Sequence, residues 1–397
     1  MKLSFCIIAK NEAHQLGECL QTVGKLVDEM IVVDTGSRDG TPEVAKNMGA
    51  RVYEFSWCDD FASARNAGLK YVTGDWVLVL DADERLMEGI IPQIRGLINQ
   101  EDYLLINLVR QEIGAVQSPY SLVSRLFRNH PDLYFSRPYH ALVDDSVMEI
   151  LRREPQWRIG SIPEIAIAHY GYSADAIAEK NKQQRACEAM ESYLKQHPDD
   201  PYLASKLGAL YVQLGKLSAG IDLLEKGLKQ ASGIEGGTMY ELHYHLGIAY
   251  SKRGQLEVAE AQYQKAIAVN VFPQLKIGAY NNLGNLLKGR GNLKAALWAY
   301  ETTIEIDPLF SLGYYNLGMT LRAMGNSQKA IASYQKAISL NPHYGEAYQN
   351  LGAALLGIGN IPDSLKAFQT AISVYEQTNP PEAKRLKKTL SEMGWRL

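Results

Sequence analysis

The 397-residue chain carries 41 Lys and Arg against 44 Asp and Glu, a formal net charge of −3, so electrostatics gives no case for nucleic acid or an anionic membrane as its main partner. That length exceeds what one hydrophobic core usually organises, and two or more folding units are expected. Cys6, Cys19, Cys58 and Cys187 show no C-x-x-C spacing, which argues against a zinc site or a disulfide framework and fits a reducing compartment.

The apolar run from Leu3 to Ala9 is broken by Lys10, Asn11 and Glu12, too soon for a signal peptide, and no stretch approaches the roughly 20 apolar residues that span a bilayer. A cytoplasmic protein without a transmembrane segment is expected, any membrane association being peripheral at the inner face.

In chain order, Leu3 to Ala9, Met30 to Asp34, Val52 to Phe55 and Trp76 to Leu80 have the length and β-branched or aromatic content of buried strands. Asn11 to Val23, Thr41 to Met48 and Phe61 to Tyr71 carry helical signals, with Thr41 as N-cap before Pro42 and Gly49 as a stop. The alternation predicts a doubly wound parallel sheet. Ligands of such a sheet bind beyond the carboxyl ends of its strands. The polar clusters Lys10-Asn11-Glu12, Asp34-Thr35-Gly36-Ser37 and Asp81-Ala82-Asp83 should therefore share one edge.

Two carboxylates one residue apart after a strand can converge on Mg²⁺ or Mn²⁺ holding a substrate diphosphate. The plainer alternative is a solvated pair capping a helix that begins near Glu84. No G-x-G-x-x-G follows the first strand and no P-loop lysine follows Gly36 to Gly40, which argues against a dinucleotide oxidoreductase and an ATPase.

From about residue 174 the texture turns to Ala, Leu, Tyr, Gly and Lys, and a period appears: Asn282-Leu283-Gly284, Asn316-Leu317-Gly318 and Asn350-Leu351-Gly352 are 34 residues apart. Later positions keep step, as in Gly325, Ala330, Tyr334, Ala337 and Pro342. This resembles the tetratricopeptide repeat, a helical hairpin that stacks into a solenoid. The expected organisation is an α/β domain over 1–173, a linking helix over 174–200, about five repeats over 201–378 and a capping helix over 379–397. The basic group Lys384, Arg385, Lys387 and Lys388 reads as a solvated face of that last helix.

Four ordered motifs, Ile7-Ile8-Ala9-Lys10-Asn11-Glu12, Ile31-Val32-Val33-Asp34-Thr35-Gly36-Ser37-Arg38-Asp39-Gly40-Thr41, Ala64-Arg65-Asn66-Ala67-Gly68 and Gly74-Asp75-Trp76-Val77-Leu78-Val79-Leu80-Asp81-Ala82-Asp83, resemble the N-terminal half of family-two glycosyltransferases, whose GT-A fold is a Rossmann-like nucleotide-sugar domain. The resemblance implies that Asn11 and Glu12 border the nucleobase pocket, that Asp34 accepts a hydrogen bond from base or ribose, and that Arg65 contacts the nucleotide. It also implies that Asp83 is the main ligand of a divalent cation, Mn²⁺ or Mg²⁺, with Asp81 toward the ribose or a metal-bound water and His169 as an additional ligand. Arg125 and Arg128 are candidates to help neutralise the departing diphosphate.

Relatives typically carry His-Glu where this chain has His140-Ala141, and the resemblance makes that glutamate the natural candidate for the general base. Asp144 and Asp145 lie a few residues on and are the candidates to replace it. The expected activity is metal-dependent, inverting transfer of a hexosyl group from a nucleoside-diphosphate sugar to a protein, peptide or glycan acceptor. Ala141 also leaves an alternative, a catalytically weakened domain within a repeat-based scaffold. Asn282, Asn316 and Asn350 recur at one helix register and are candidates for a peptide-binding groove, resembling the way the repeats of a protein O-glycosyltransferase hold substrate chains. The alternative is that they pack between hairpins.

Overall fold

The computed structural model describes residues 1–171, 180–231 and 236–395. Tyr172, the start of the expected linking helix and the final two residues of the expected capping helix lie outside them. Contacts divide the chain into two compact units, Met1–Gly233 and Ile234–Leu397.

Among its described residues the first unit holds one eight-stranded sheet: β1 (Leu3–Ala9), β2 (Glu29–Asp34), β3 (Arg51–Glu54), β4 (Trp76–Val79), β5 (Glu84–Leu86), β6 (Tyr103–Glu112), β7 (Tyr120–Arg128) and β8 (Arg158–His169), in the order β3-β2-β1-β4-β7-β6-β8-β5. β1, β2, β3 and β4 run parallel, with Ala9 beside Asp34 and Cys6 beside Val79, so the ends of β1, β2 and β4 do share an edge. The sheet does not stay parallel, because β7 pairs antiparallel with both β4 and β6.

Both faces are covered, as the uniformly apolar strands require. Leu3, Phe5 and Ile7 of β1 face a core completed by α1 (Ala13–Val23), α2 (Thr41–Asn47) and α4 (Ile91–Ile98), while Cys6 faces a second core completed by α3 (Phe61–Leu69) and α5 (Asp144–Arg153). That division follows from the two-residue period of a strand.

Two local expectations are corrected. Thr41 is the first residue of α2 rather than its cap, because Asp39 Oδ1 already accepts the Thr41 N–H at 3.0 Å. No helix begins at Glu84: residues Glu84–Leu86 form β5, with Glu84 opposite His169 in β8, and the helix α4 starts only at Ile91.

Within the same unit follow α6 (Lys180–Gln196) and the hairpin α7 (Pro201–Gln213) and α8 (Leu217–Gln230). Among its described residues the second unit contains four further hairpins: α9 (Gly237–Lys252) with α10 (Leu256–Ala268), α11 (Ile277–Gly289) with α12 (Leu293–Ile306), α13 (Ser311–Ala323) with α14 (Ser327–Leu340), and α15 (Gly345–Gly357) with α16 (Ile361–Thr378). The helix α17 (Pro380–Glu392) closes the array. Glycine lets each pair close up. A Cβ on Gly318 would stand 2.7 Å from Tyr334 Cε1, and Tyr334 is fully buried. No described helix is long and apolar enough to cross a membrane.

Candidate functional site

At the end of β2, Asp34 is 6% exposed. Its Oδ2 accepts the N–H groups of Gly36 at 3.1 Å and Ser37 at 3.0 Å, while Oδ1 is buried without a protein partner. A buried carboxylate oxygen left bare is costly, and an external donor would satisfy it. Asn11, in the left-handed region at φ +57°, braces the same loop: its N–H donates to Ser37 Oγ at 2.9 Å and its Oδ1 accepts Arg38 N–H at 2.8 Å. The Glu12 N–H donates to Thr41 Oγ1 at 2.8 Å. The structure thus brings Asn11, Glu12 and Asp34 together through their backbones and the loop that follows β2.

Asp81 lies between two cations. Arg65 Nη2 donates to Oδ1 at 2.5 Å and Arg125 Nη2 to Oδ2 at 2.6 Å. Burial alone would raise the Asp81 pKa, but Arg125 and Arg65 outweigh it and hold the carboxyl well below the usual range. Each Asp81 oxygen thus holds one guanidinium, which gives the carboxylate an arginine-clamping role beside the metal role read from its spacing. Arg65 Nη1 is buried and unpartnered, and its guanidinium lies 5.4 Å from the Phe135 ring centre.

Arg128 cannot assist at this edge. It pairs opposite Trp76, the first residue of β4, and donates to the carbonyls of Tyr103 and Gln100, both at 2.7 Å. Four residues of antiparallel β7 carry the chain from one edge of the sheet toward the other, which separates Arg128 from Arg125.

Asp83 meets His169 because β5 pairs with the end of β8. The Tyr170 N–H donates to the Asp83 carbonyl at 2.9 Å, and Asp83 Oδ2 lies 3.2 Å from His169 Nε2. The other ring nitrogen, Nδ1, is 2.5 Å from Glu112 Oε2. Burial pulls the His169 pKa down, but the hydrogen bonds to Asp83 and Glu112 outweigh it and carry it up to about 9. Glu112 answers in kind: burial would raise it, yet His169 and Arg110 lower it to about 2.

A Cβ on Gly171 would come within 2.5 Å of His169 Nε2 and 2.9 Å of Asp83 Oδ2, so glycine keeps open the space where the two donors converge. A carboxylate oxygen and an imidazole nitrogen fixed from behind by a carboxylate suit a divalent transition cation. Among the described residues no group of three or more His, Cys, Asp and Glu side chains forms a complete cage, and a cation holding substrate phosphates and water needs none.

Several residues of the site carried no signal alone. Arg65, Asp81, Arg125, Glu84, Arg110, Glu112, His169 and Asp83 form an unbroken sequence of alternating charge, linked through Glu84 at 3.4 Å to Arg125 and 2.7 Å to Arg110, and from Arg110 at 2.8 Å to Glu112. Glu84 is fully buried. Arg110 and Glu112, two apart near a strand end and hence on one face, are the signal that could have found them.

On the other side of Arg125, Ser124 Oγ donates to Asp144 Oδ1 at 2.9 Å, with Asn107 Oδ1 competing for the same proton at 3.0 Å. Asp144 Oδ2 is buried without a partner, and burial raises the carboxyl's pKa more than Ser124 lowers it. Asp145 is tied instead to Arg137, at 2.6 and 3.1 Å, and to Ser136. The three repeat asparagines link hairpins rather than forming a bare ladder: Asn282 Nδ2 reaches the Tyr244 hydroxyl at 3.5 Å, Asn316 Nδ2 donates to Asn281 Oδ1 at 2.8 Å, and Asn350 Nδ2 to the Tyr315 hydroxyl at 3.1 Å.

Residues 4–160 match the family model for glycosyl transferase family 2, and tetratricopeptide models match 243–309, 311–344 and 333–366. A TPR repeat-containing protein of Synechococcus elongatus is 44% identical over 307 residues, covering 77% of this chain and 76% of that protein. The chain carries a glycosyl transferase family 2 domain at its N-terminal end and tetratricopeptide repeats after it. Other relatives include an uncharacterized glycosyltransferase of Rickettsia felis, 29% identical over 45% of this chain and 64% of its own length. The SPbeta prophage-derived glycosyltransferase SunS of Bacillus subtilis is 27% identical over 56% of this chain and 52% of its own. The chain thus spans less than two thirds of these two relatives.

Proposed function

We propose that this protein transfers a hexosyl group, with inversion, from a nucleoside-diphosphate sugar to a protein or peptide acceptor in a divalent-cation-dependent reaction. The observation that carries the metal part is the 3.2 Å approach of Asp83 Oδ2 to His169 Nε2 over the gap kept by Gly171. Asp83 and His169 would hold the cation; Glu112 orients the imidazole so that Nε2 faces it. When bound, Mn²⁺ or Mg²⁺ supplies charge neutralisation to the departing nucleoside diphosphate.

The remaining work falls to the chain. Asp34 Oδ1, buried and bare, accepts a donor of the base or ribose. Arg65 presents its unpartnered Nη1 to the nucleotide, with Asp81 fixing the guanidinium. Asp144 takes the acceptor proton: its raised pKa brings it closer to the working pH, where a general base is most effective. Ser124 and Arg125 are consecutive in β7, so the base candidate and the Asp81 clamp are positioned by neighbouring residues. A protein acceptor follows from the repeats, whose family commonly binds polypeptide; the cytoplasm is the proposed location.

Calorimetric titration of the four common nucleoside diphosphates, with and without Mn²⁺, into wild-type protein and Asp83→Ala tests this. Metal-dependent binding that disappears in the variant supports the assignment. Absence of binding to folded wild-type protein would sink it.

A further inference from the structure

Beyond the donor site, the segment Ser136–Leu142 is closed by a bridge between its end residues and holds two non-glycine residues in the left-handed region, Arg137 at φ +74° and His140 at φ +55°. Such conformations are strained for residues with a side chain and persist only where the surroundings impose them. The surroundings here come from two directions. On the sheet side, the Phe61 N–H at the start of α3 donates to the Pro138 carbonyl at 3.0 Å, and the Phe61 and Tyr139 rings meet edge to face at 5.7 Å. On the helical side, Tyr139 packs against the apolar cluster of Ala186, Cys187, Met190, Leu203 and Leu207 from α6 and α7.

Arg137 joins the two. Only 8% exposed, it donates through Nε to Asp200 Oδ2 at 2.7 Å and through Nη1 and Nη2 to Asp145 at 2.6 and 3.1 Å. Its guanidinium lies 5.2 Å from the Tyr202 ring centre. Asp200 is itself the N-cap of α7, its Oδ1 accepting the Leu203 N–H at 2.9 Å. One carboxylate thus starts the first helical hairpin with one oxygen and holds the loop with the other.

We infer that Arg137 is a positioning residue through which the first helical hairpin sets the conformation of the 136–142 loop, and with it the first turn of α5 that carries Asp144. The hairpin then belongs to the catalytic unit: it serves the acceptor side of the reaction, while donor binding depends on Asp34, Arg65 and Asp83 at other strand ends. This rests on the transferase reading for its consequence, but not for its structural core.

The full-length chain with Asp200→Asn and, separately, Arg137→Met tests it. Asparagine caps helices as well as aspartate, so Asp200→Asn keeps α7 and removes only the charge facing Arg137. Hydrogen exchange at the 136–142 amides should rise at least about tenfold in both variants while β1 to β4 remain unchanged. Mn²⁺-dependent nucleoside diphosphate affinity should stay within about twofold, and kcat for nucleoside diphosphate release from the donor sugar should fall at least about tenfold at nearly constant donor KM. Arg137→Lys, which keeps one charge but not the fork, should recover part of the rate. Unchanged exchange in Asp200→Asn overturns the inference, as does a parallel loss of donor affinity, which would make Arg137 a support of the whole domain. If the wild type binds none of the nucleoside diphosphates, the transferase reading alone falls, and the exchange data still decide whether Asp200 holds the loop.

Discussion

Arg125 Nη2 stands 2.6 Å from Asp81 Oδ2, and the contact depends on an irregularity in the sheet. Ile106 faces Leu126 and Asn107 faces Ser124, so Arg125 is one residue too many for β6 to pair. A bulge of this kind re-aims a side chain that the regular pleat would point elsewhere. Arg125 thereby reaches both Asp81 and the fully buried Glu84.

Replacing Arg125 with leucine leaves those carboxylates short of a cation, and is expected to cost about 3–5 kcal/mol of unfolding free energy. Adding Asp81→Asn should cost less than the two single changes summed, because the residues share one network. Urea unfolding of the three variants measures both.

Gly171→Ala should separate Asp83 from His169, since the added Cβ would lie 2.5 Å from His169 Nε2. Mn²⁺ affinity is expected to fall about 10- to 100-fold with far-ultraviolet circular dichroism unchanged. Electron paramagnetic resonance of free Mn²⁺ reads the loss directly.

The His169–Glu112 pair gives the metal-free protein a signed pH dependence. The histidine's pKa is raised from 6.5 to about 9, so its stabilisation is complete below 6.5 and is lost as pH rises through about 9. The Glu112 pKa is lowered from 4.5 to about 2, so its contribution is present above 4.5 and is lost as pH falls toward 2. Urea midpoints measured in chelator across pH should show both declines in wild type, and Glu112→Gln should flatten them.

Asp144→Asn should lower kcat by roughly 10²- to 10⁴-fold, the usual contribution of a general base, and leave nucleoside diphosphate affinity unchanged. Because burial raises the Asp144 pKa above 3.8, the acid limb of the wild-type rate profile should lie above that value. Steady-state kinetics across pH tests both statements.

In the repeats, Gly318→Ala would drive a methyl group to 2.7 Å from the buried Tyr334 ring. Overpacking of this kind costs about 1–3 kcal/mol. Differential scanning calorimetry of the full chain should show the loss.

The sequence by itself determined the strands β1 to β4, the shared edge of their polar ends and the repeating hairpins, because each is written in local periodicity: two residues for a strand, 34 for the repeat. It also brought Asp34 and the pair Asp81 and Asp83 to notice, since Asp34 and Asp81 directly follow apolar runs. Only tertiary structure decided what those carboxylates face. Asp81 and Asp83 have the same spacing logic, yet Asp81 is taken by Arg65 and Arg125, from α3 and a bulge in β7, while Asp83 meets His169 only because β5 pairs with β8 across 86 residues of chain. Likewise Asp144 and Asp145 are adjacent and identical in sequence, and packing gives one a bare buried oxygen and the other Arg137. Partners that lie far along the chain leave no local pattern, so charge compensation, and the roles it permits, appear only once the sheet is assembled.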